Sequence, residues 1–324
     1  MPPLRTINDE TIVQSSRLRF KHGFLNANAA RYTVCMRHLA AIAGFGVIMA
    51  ATVSTDYVRE IESWRQERAA RLKSDTGWLT VAGLFWLREG PNTAGTAADN
   101  AIVLPAGAAP AHIGVFDLHD PTVTFRAQPG VAVQIDGRAA ARAELKPDTS
   151  EKPDAVSVND LTMFVIERAG QFGIRLRYKN SPFRRNFTGL KWYPVRPEYR
   201  MEAKFLSEPK KIRILNILGQ TDEEDSPGSV EFTFQGKPYR MVALTEDNTL
   251  FFVFRDRTSS HATYGAGRML NTPMPRDGKV DLDFNKAYNP PCAYIPYATC
   301  PLPPAENRLP FAIEAGEMNY GDHH

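Results

Sequence analysis

Histidine, cysteine and excess charge are all scarce in this chain of 324 residues. The seven histidines are scattered through the leader, the middle (His112, His119, His261) and the tail (His323, His324), so a histidine-rich metal site is not expected. Cysteine occurs three times, as Cys35, Cys292 and Cys300. Two thiolates without a neighbouring histidine fall short of a four-ligand zinc site, and no metal is expected. The net charge of +3 is too small to argue for nucleic-acid binding, and no nucleic-acid-reading motif is present. Long apolar runs are missing too. Leu39–Ala51 is the best candidate and is too short for a comfortable membrane span.

The common catalytic signatures are also absent. There is no G-x-S-x-G elbow, H-E-x-x-H, Walker loop, C-x-x-C or Rossmann glycine fingerprint. This argues against the commonest hydrolases, zincins and nucleotide enzymes, and no cofactor is expected. Whether there is a reaction at all stays open, and no protein partner is indicated.

What is present begins with the leader. Met36-Arg37-His38 precedes LAAIAGFGVIMAA, a short basic start followed by an apolar run and small residues, the pattern of a secretory signal peptide. We expect Met36 to be the functional start, with residues 1–35 an extension and cleavage between Ala50 and Thr55. The result would be an exported, periplasmic protein. A buried or interfacial helix is the alternative, and would leave the protein cytoplasmic.

Residues 56–73 place Tyr57, Ile61, Trp64 and Leu72 on one helical face, with Asp56 as N-cap and Glu67–Arg71 as an i,i+4 pair. From Gly77 to Tyr178 short strand patterns alternate with Gly, Pro and Asp, implying a β-sandwich or barrel. Residues 180–204 read as a crossover. Its basic residues (Arg184, Arg185, Lys191, Arg196) interleave with aromatics and suit stems covering a sheet. A second strand set follows, with an acidic loop over Thr221–Asp225, a Pro227-Gly228 turn and a hairpin at Gln235-Gly236-Lys237.

The C-terminal stretch from Tyr264 to Glu317 is crowded with prolines yet rich in Tyr, Phe, Leu and Ile. Proline excludes helix or central strand, while the apolar content excludes a disordered linker. An ordered, irregular segment of this kind is where a site is expected. Arg268, Asn285, Tyr288, Asn289, Asn307 and Arg308 are its polar members. They suit a small polar or anionic ligand in a pocket lined by Tyr264, Tyr294 and Tyr297. Asn and Arg also satisfy the backbone of irregular loops, so a structural role stands beside that reading. Cys292 and Cys300, eight positions apart, are expected to form a disulfide if the protein is exported, and to be buried free thiols if it is cytosolic.

Several runs carry a resemblance: TYGAGR (Thr263–Arg268), LDFNKAYNPPCAY (Leu282–Tyr294), TCPLPP (Thr299–Pro304) and NRLPFAIEAGE (Asn307–Glu317). WLTVAGLFWLREG (Trp78–Gly90), GIRLR with SPFRRNFTGLKWYP (Gly173–Pro194) and FVFRDRTS (Phe252–Ser259) extend it upstream. Across residues 57–317 the chain resembles the bacterial and fungal family known as domain of unknown function 1684. That family has no established activity, so the resemblance implies a fold and a place to look. A Gly-Lys-Glu-like tripeptide is expected before TYGAGR. Ser260, His261 and Ala262 stand there instead, which weakens any catalytic role for that loop. The first β region is also loosely similar to a forkhead-associated sandwich, but no Arg and Ser constellation for phosphothreonine can be placed on its loops.

Two smaller constellations remain. Asp256, Ser259, Ser260 and His261 invite a triad, but near neighbours on one loop seldom converge. Asp281, Asp283 and Asn285 alternate along a strand and could hold a hard cation, or simply pair with Arg or face solvent.

The expectation is therefore a mainly β protein of two sandwich- or barrel-like units after a leading helix. Residues 1–54 are the extension and signal-like segment, 55–180 the helix and first sandwich, and 181–324 the crossover, second β unit and Pro-rich C-terminal segment. The function expected is binding of, or action on, a small polar or anionic ligand. The alternative is a non-catalytic structural or protein-interaction module.

Overall fold

The structure is a computed structural model of the chain and describes residues 54–321. The expectations for the extension and for the signal-like segment lie outside the described residues. Helix α1 spans Thr55–Lys73 and buries Ile61, Arg65 and Leu72. Its N-terminus departs from expectation: Ser54 flanks it without a side-chain cap, and Asp56 sits in the first turn, paired with Arg59. A 3-10 turn at Trp78–Thr80 leads into the sheets.

The first β unit holds β1 (Val81–Trp86), β2 (Gly90–Gly95), β3 (Ile102–Val103), β4 (Gly114–His119), β5 (Thr122–Ala127) and β6 (Gln134–Ile135). It continues with β7 (Arg138–Ala139), β8 (Arg142–Leu145), β9 (Ala155–Val158), β10 (Leu161–Arg168) and β11 (Gln171–Tyr178). These form two sheets, ordered β1-β11-β10-β9-β6-β7 and β3-β2-β4-β5-β8. Alternate residues of each enter one shared core, with Phe116 and Phe125 from one sheet meeting Met163, Ile174 and Leu176 from the other. This is the face-to-face packing of a β-sandwich.

The second unit contains β12 (Arg200–Leu215), β13 (Thr221–Phe234), β14 (Lys237–Glu246), β15 (Thr249–Phe254), β16 (Arg268–Pro273) and β17 (Lys279–Asp283). The sheet order is β16-β15-β14-β13-β12-β17. Its two edge strands approach each other, with Thr272 Oγ1 donating to the Asp281 carbonyl at 2.9 Å, so the sheet nearly closes into a barrel. Phe232, Phe252, Phe254 and Phe284 fill it. The hairpin at Gln235-Gly236 forms as expected: Phe234 pairs with Lys237, and both turn residues have positive φ, the twist a two-residue hairpin needs.

One expectation is corrected here. Thr221–Asp225 and Pro227-Gly228 are not loop and turn but lie within β13. Lys211 faces Asp225 and Arg213 faces Glu223 across the ladder, so opposite charges support a strand that its acidity alone would disfavour. Where the ladder shifts register between Ser207 and Lys210, Gly228 comes so near Leu206 that a Cβ would lie 2.0 Å from its carbonyl oxygen. Only glycine fits that bulge.

Sandwich and barrel meet across a third apolar cluster, in which Leu72 of α1 and Leu79 join Ile214, Leu244, Phe251, Tyr294, Ile295 and Cys300. The proline-rich segment thus packs helix, sandwich and barrel into one body.

Candidate functional site

A cleft of about 850 Å³ opens at that junction. Strands β10 and β11 give it Phe164, Arg168, Arg175 and Arg177, and the barrel gives Asp222, Glu223, Glu224 and Glu246. Helix α1 adds Arg68, and the C-terminal segment adds Tyr288, Asn289, Thr299 and Cys300.

The expected site residues divide. Arg268 is not in the cleft. It is buried, ion-paired with Asp256 at 2.8 Å, and donates to the carbonyls of Ile313 (2.9 Å) and Ala315. Those carbonyls belong to the irregular tail, where no ladder satisfies them, so the guanidinium does a strand's work. Asn285 is likewise enclosed. Its Oδ1 accepts from the Arg196 amide at 2.9 Å, and its Nδ2 donates to the Arg196 carbonyl at 2.8 Å. Asn307 accepts from the Val242 amide (2.7 Å) and donates to the carbonyls of Val242 and Val253 (2.9 Å each), bridging β14 and β15 beyond their short ladder. Arg308 is exposed and lies outside the cleft. The pocket expected around Arg268 and Asn289 is therefore corrected: of the six, only Tyr288 and Asn289 reach the cleft.

The tyrosines expected as lining are also reassigned. Tyr264 donates to the Cys292 carbonyl at 3.1 Å, and Tyr294 donates to Glu317. The triad does not assemble, because Asp256 is held by Arg268 and Thr258 while His261 is exposed. Asp281 pairs with Arg200 at 2.7 Å and Asp283 accepts from the Tyr57 hydroxyl at 2.8 Å. Among the described residues no acidic, His or Cys group has the makings of a metal centre. The disulfide is not formed: Cys292 and Cys300 are free thiols. They are neighbours, for the Cys292 amide donates to Sγ of Cys300 at 3.3 Å. The neighbouring Cys292 thiol first, and burial second, push the Cys300 thiol well up, against the amide contact, while the Cys300 thiol lowers Cys292.

The cleft's most telling residues escape a sequence reading. Ile174 and Leu176 of β11 enter the sandwich core, so Arg175 and Arg177 read as solvent-facing alternates. The C-terminal segment covers that face instead, leaving Arg175 4% exposed. Its Nη2 donates to Thr299 Oγ1 at 3.1 Å. Nη1 lies 4.0 Å from Asp148, outside hydrogen-bond reach, and Nε has no partner. Asp148 is already committed to Arg168 at 2.7 Å. Burial first, and repulsion from Arg168 second, pull the Arg175 guanidinium down to about 10, so it stays charged near neutrality. Arg177 is lowered by burial as well, its Nε is unpartnered, and it stacks over Phe164 at 5.1 Å.

Arg68 presents the opposite case. It donates to Glu317 at 3.0 Å, to the Asn289 carbonyl at 2.8 Å and to the Tyr294 hydroxyl at 3.2 Å, and lies 4.2 Å from the Tyr288 ring centre. Burial disfavours its charge, but Tyr294 and Glu317 outweigh that and hold it above its ordinary range. Asn289 donates through its amide and Nδ2 to the same Glu317 carboxylate, while its Oδ1 is buried without a partner. One wall of the cleft is thus an ion-paired scaffold with the Asn289 Oδ1 left over, and another carries under-compensated cations.

A β-sandwich clamped to a nearly closed barrel by a leading helix and a proline-rich tail, with a charged cleft at the junction, defines a mainly β protein. Residues 185–318 match the family described as "Protein of unknown function (DUF1684)", and the chain belongs to that family. It is similar to an uncharacterized protein of Haloarcula marismortui solved by NMR in solution. The two share 33% identity over 43% of this chain and 81% of that one, with a TM-score of 0.37. The FhaA FHA domain, complexed with the intracellular domain of Rv3910, matches at 14% identity over 29% of this chain and 97% of its own, with a TM-score of 0.21. At such TM-scores neither likeness carries a structural argument. No curated protein matches the chain.

Proposed function

We propose that this protein binds a small polar or anionic ligand in the cleft between sandwich and barrel, and that it does so as an exported, periplasmic protein. The observation that carries the binding reading is Arg175. A charged guanidinium this deeply buried is costly unless paired, and here one η-nitrogen and the ε-nitrogen lack hydrogen bonds. A planar anion such as a carboxylate or phosphate would complete the fork, with Arg177 adding charge and Thr299 and Asn289 adding polar contacts. Export rests on the basic, apolar and small-residue pattern from Met36 to Ala51. Among the described residues no helix is long and apolar enough to cross a membrane.

Thermal-shift screening of the protein against small anions tests the binding reading, because a ligand that binds only the native state raises its stability. A hit abolished by Arg175→Met supports it. Hits that ignore this substitution transfer the case to a non-catalytic structural or interaction module. N-terminal sequencing of protein from native cells tests export, and recovery of residues 1–35 would contradict it.

A further inference from the structure

The cleft is charged with both signs, and its uncommitted charges stand on different elements. Arg175 and Arg177 come from the sandwich, whereas Glu224 comes from the first half of β13 on the barrel, on the strand face it shares with Asp222; Glu223 points to the other face, opposite Arg213. Other charged groups that line it are already engaged: Arg168 with Asp148, Asp222 with the Ala169 amide at 2.6 Å, and Glu246 with Asn271 at 3.1 Å. Among the described residues no ion pair joins Arg175 or Arg177 to Glu224. The opposite charges are not neutralised by each other. The acid alone would be an ordinary solvated strand residue. The independent sign that something enters is Arg175, more than nine-tenths buried with an incomplete set of partners in the same cleft.

We propose that the ligand is a small zwitterion, with its carboxylate on Arg175 and Arg177 and a primary ammonium group on Glu224. This rests on the reading of the cleft as an anion site and adds the second charge. A ligand bearing both groups gains from both walls. A simple carboxylate is held by the arginines alone and carries its own charge toward the acidic wall, where like charges repel. A simple amine meets the reverse.

The test is calorimetric titration of the protein with an amino-acid series of growing span, from β-alanine to ε-aminocaproate, beside caproate and hexylamine. At least one member of the series should bind about tenfold or more tightly than either single-charge analogue. The substitution Glu224→Gln should remove that preference while leaving caproate affinity unchanged or raised, and its folding is protected because Glu224 is exposed. Caproate binding as tightly as every amino acid, with Arg175→Met still abolishing it, would overturn the zwitterion and leave the anion site standing. Equal binding of all probes to the wild type and Arg175→Met, or no binding by any, would overturn both readings.

Discussion

Arg68 and Glu317 form an ion pair at 3.0 Å between residues 249 positions apart in sequence, joining the first helix to the end of the C-terminal segment. The Glu317 side chain is 1% exposed and also receives Asn289 and Tyr294. The pair is therefore the node through which helix, cleft wall and tail are held. Removing one partner leaves a buried charge uncompensated, which costs about 3–5 kcal/mol. Glu317→Ala should lose that much in urea denaturation, and Arg68→Ala a similar amount. A loss under about 1 kcal/mol would show that the node is solvated in solution.

Arg268→Ala should be a stability mutant and not a binding mutant. Its ion pair with Asp256 and its two carbonyl contacts leave three acceptors stranded when it goes, so a loss of several kcal/mol is expected, each orphan costing about 1–3 kcal/mol. Any variant that remains folded in the cold should keep the wild-type ligand affinity. Selective loss of binding at unchanged stability would return Arg268 to the site.

Alkaline pH should unfold the protein early. Burial raises the phenols of Tyr57, Tyr264, Tyr288 and Tyr294 above their ordinary value of 10.0. A raised phenol stays neutral in the folded chain after it has ionised in the unfolded one. Its stabilisation is complete below pH 10 and falls away as pH rises through the folded values. Arg175, lowered to about 10, has the opposite sign: its cost disappears as it loses its proton above that pH. The raised phenols outnumber the three lowered guanidinia of Arg65, Arg175 and Arg177, so stability should decline above pH 10. Phenolate absorbance should then rise together with unfolding; a smooth rise in the native state would contradict the burial.

The adjacent thiols give a redox prediction. A chain beginning at Thr55, purified reduced, should titrate two free thiols after denaturation, as the structure has them. Export predicts that mature protein from native cells titrates none, because an oxidising compartment would join sulfurs already this close. Two free thiols in that material would count against the periplasm.

Much of the fold was legible in the sequence because it is written in local patterns. The 3.6-residue face of Ile61 and Leu72, the alternation of β10 and β11, and the Gln235-Gly236 turn are short-range signals. Arg65 and Arg68 were not legible as buried, since a helix with arginines on its flank looks solvated until a glutamate from the far end of the chain reaches it. The C-terminal segment was correctly singled out as ordered, yet its most polar residues, Arg268, Asn285 and Asn307, serve the backbone. Composition cannot separate a side chain that satisfies a carbonyl from one that awaits a ligand. Arg175 was missed for a related reason: one face of its strand is evident from Ile174 and Leu176, and the second is buried only by tertiary packing.

The central claim is that Arg175 is a binding cation held in reserve, and one comparison tests it most directly. The melting temperatures of wild type and Arg175→Met should be measured with and without the best anion from the screen. Without ligand, the variant should melt at the same temperature or higher, because a poorly compensated buried charge has been replaced by an apolar chain of similar reach while Asp148 keeps Arg168. With ligand at a hundred times its dissociation constant, the wild type should gain about 2.7 kcal/mol and the variant almost nothing. A variant that melts far below the wild type, or that gains as much from the ligand, would contradict the account.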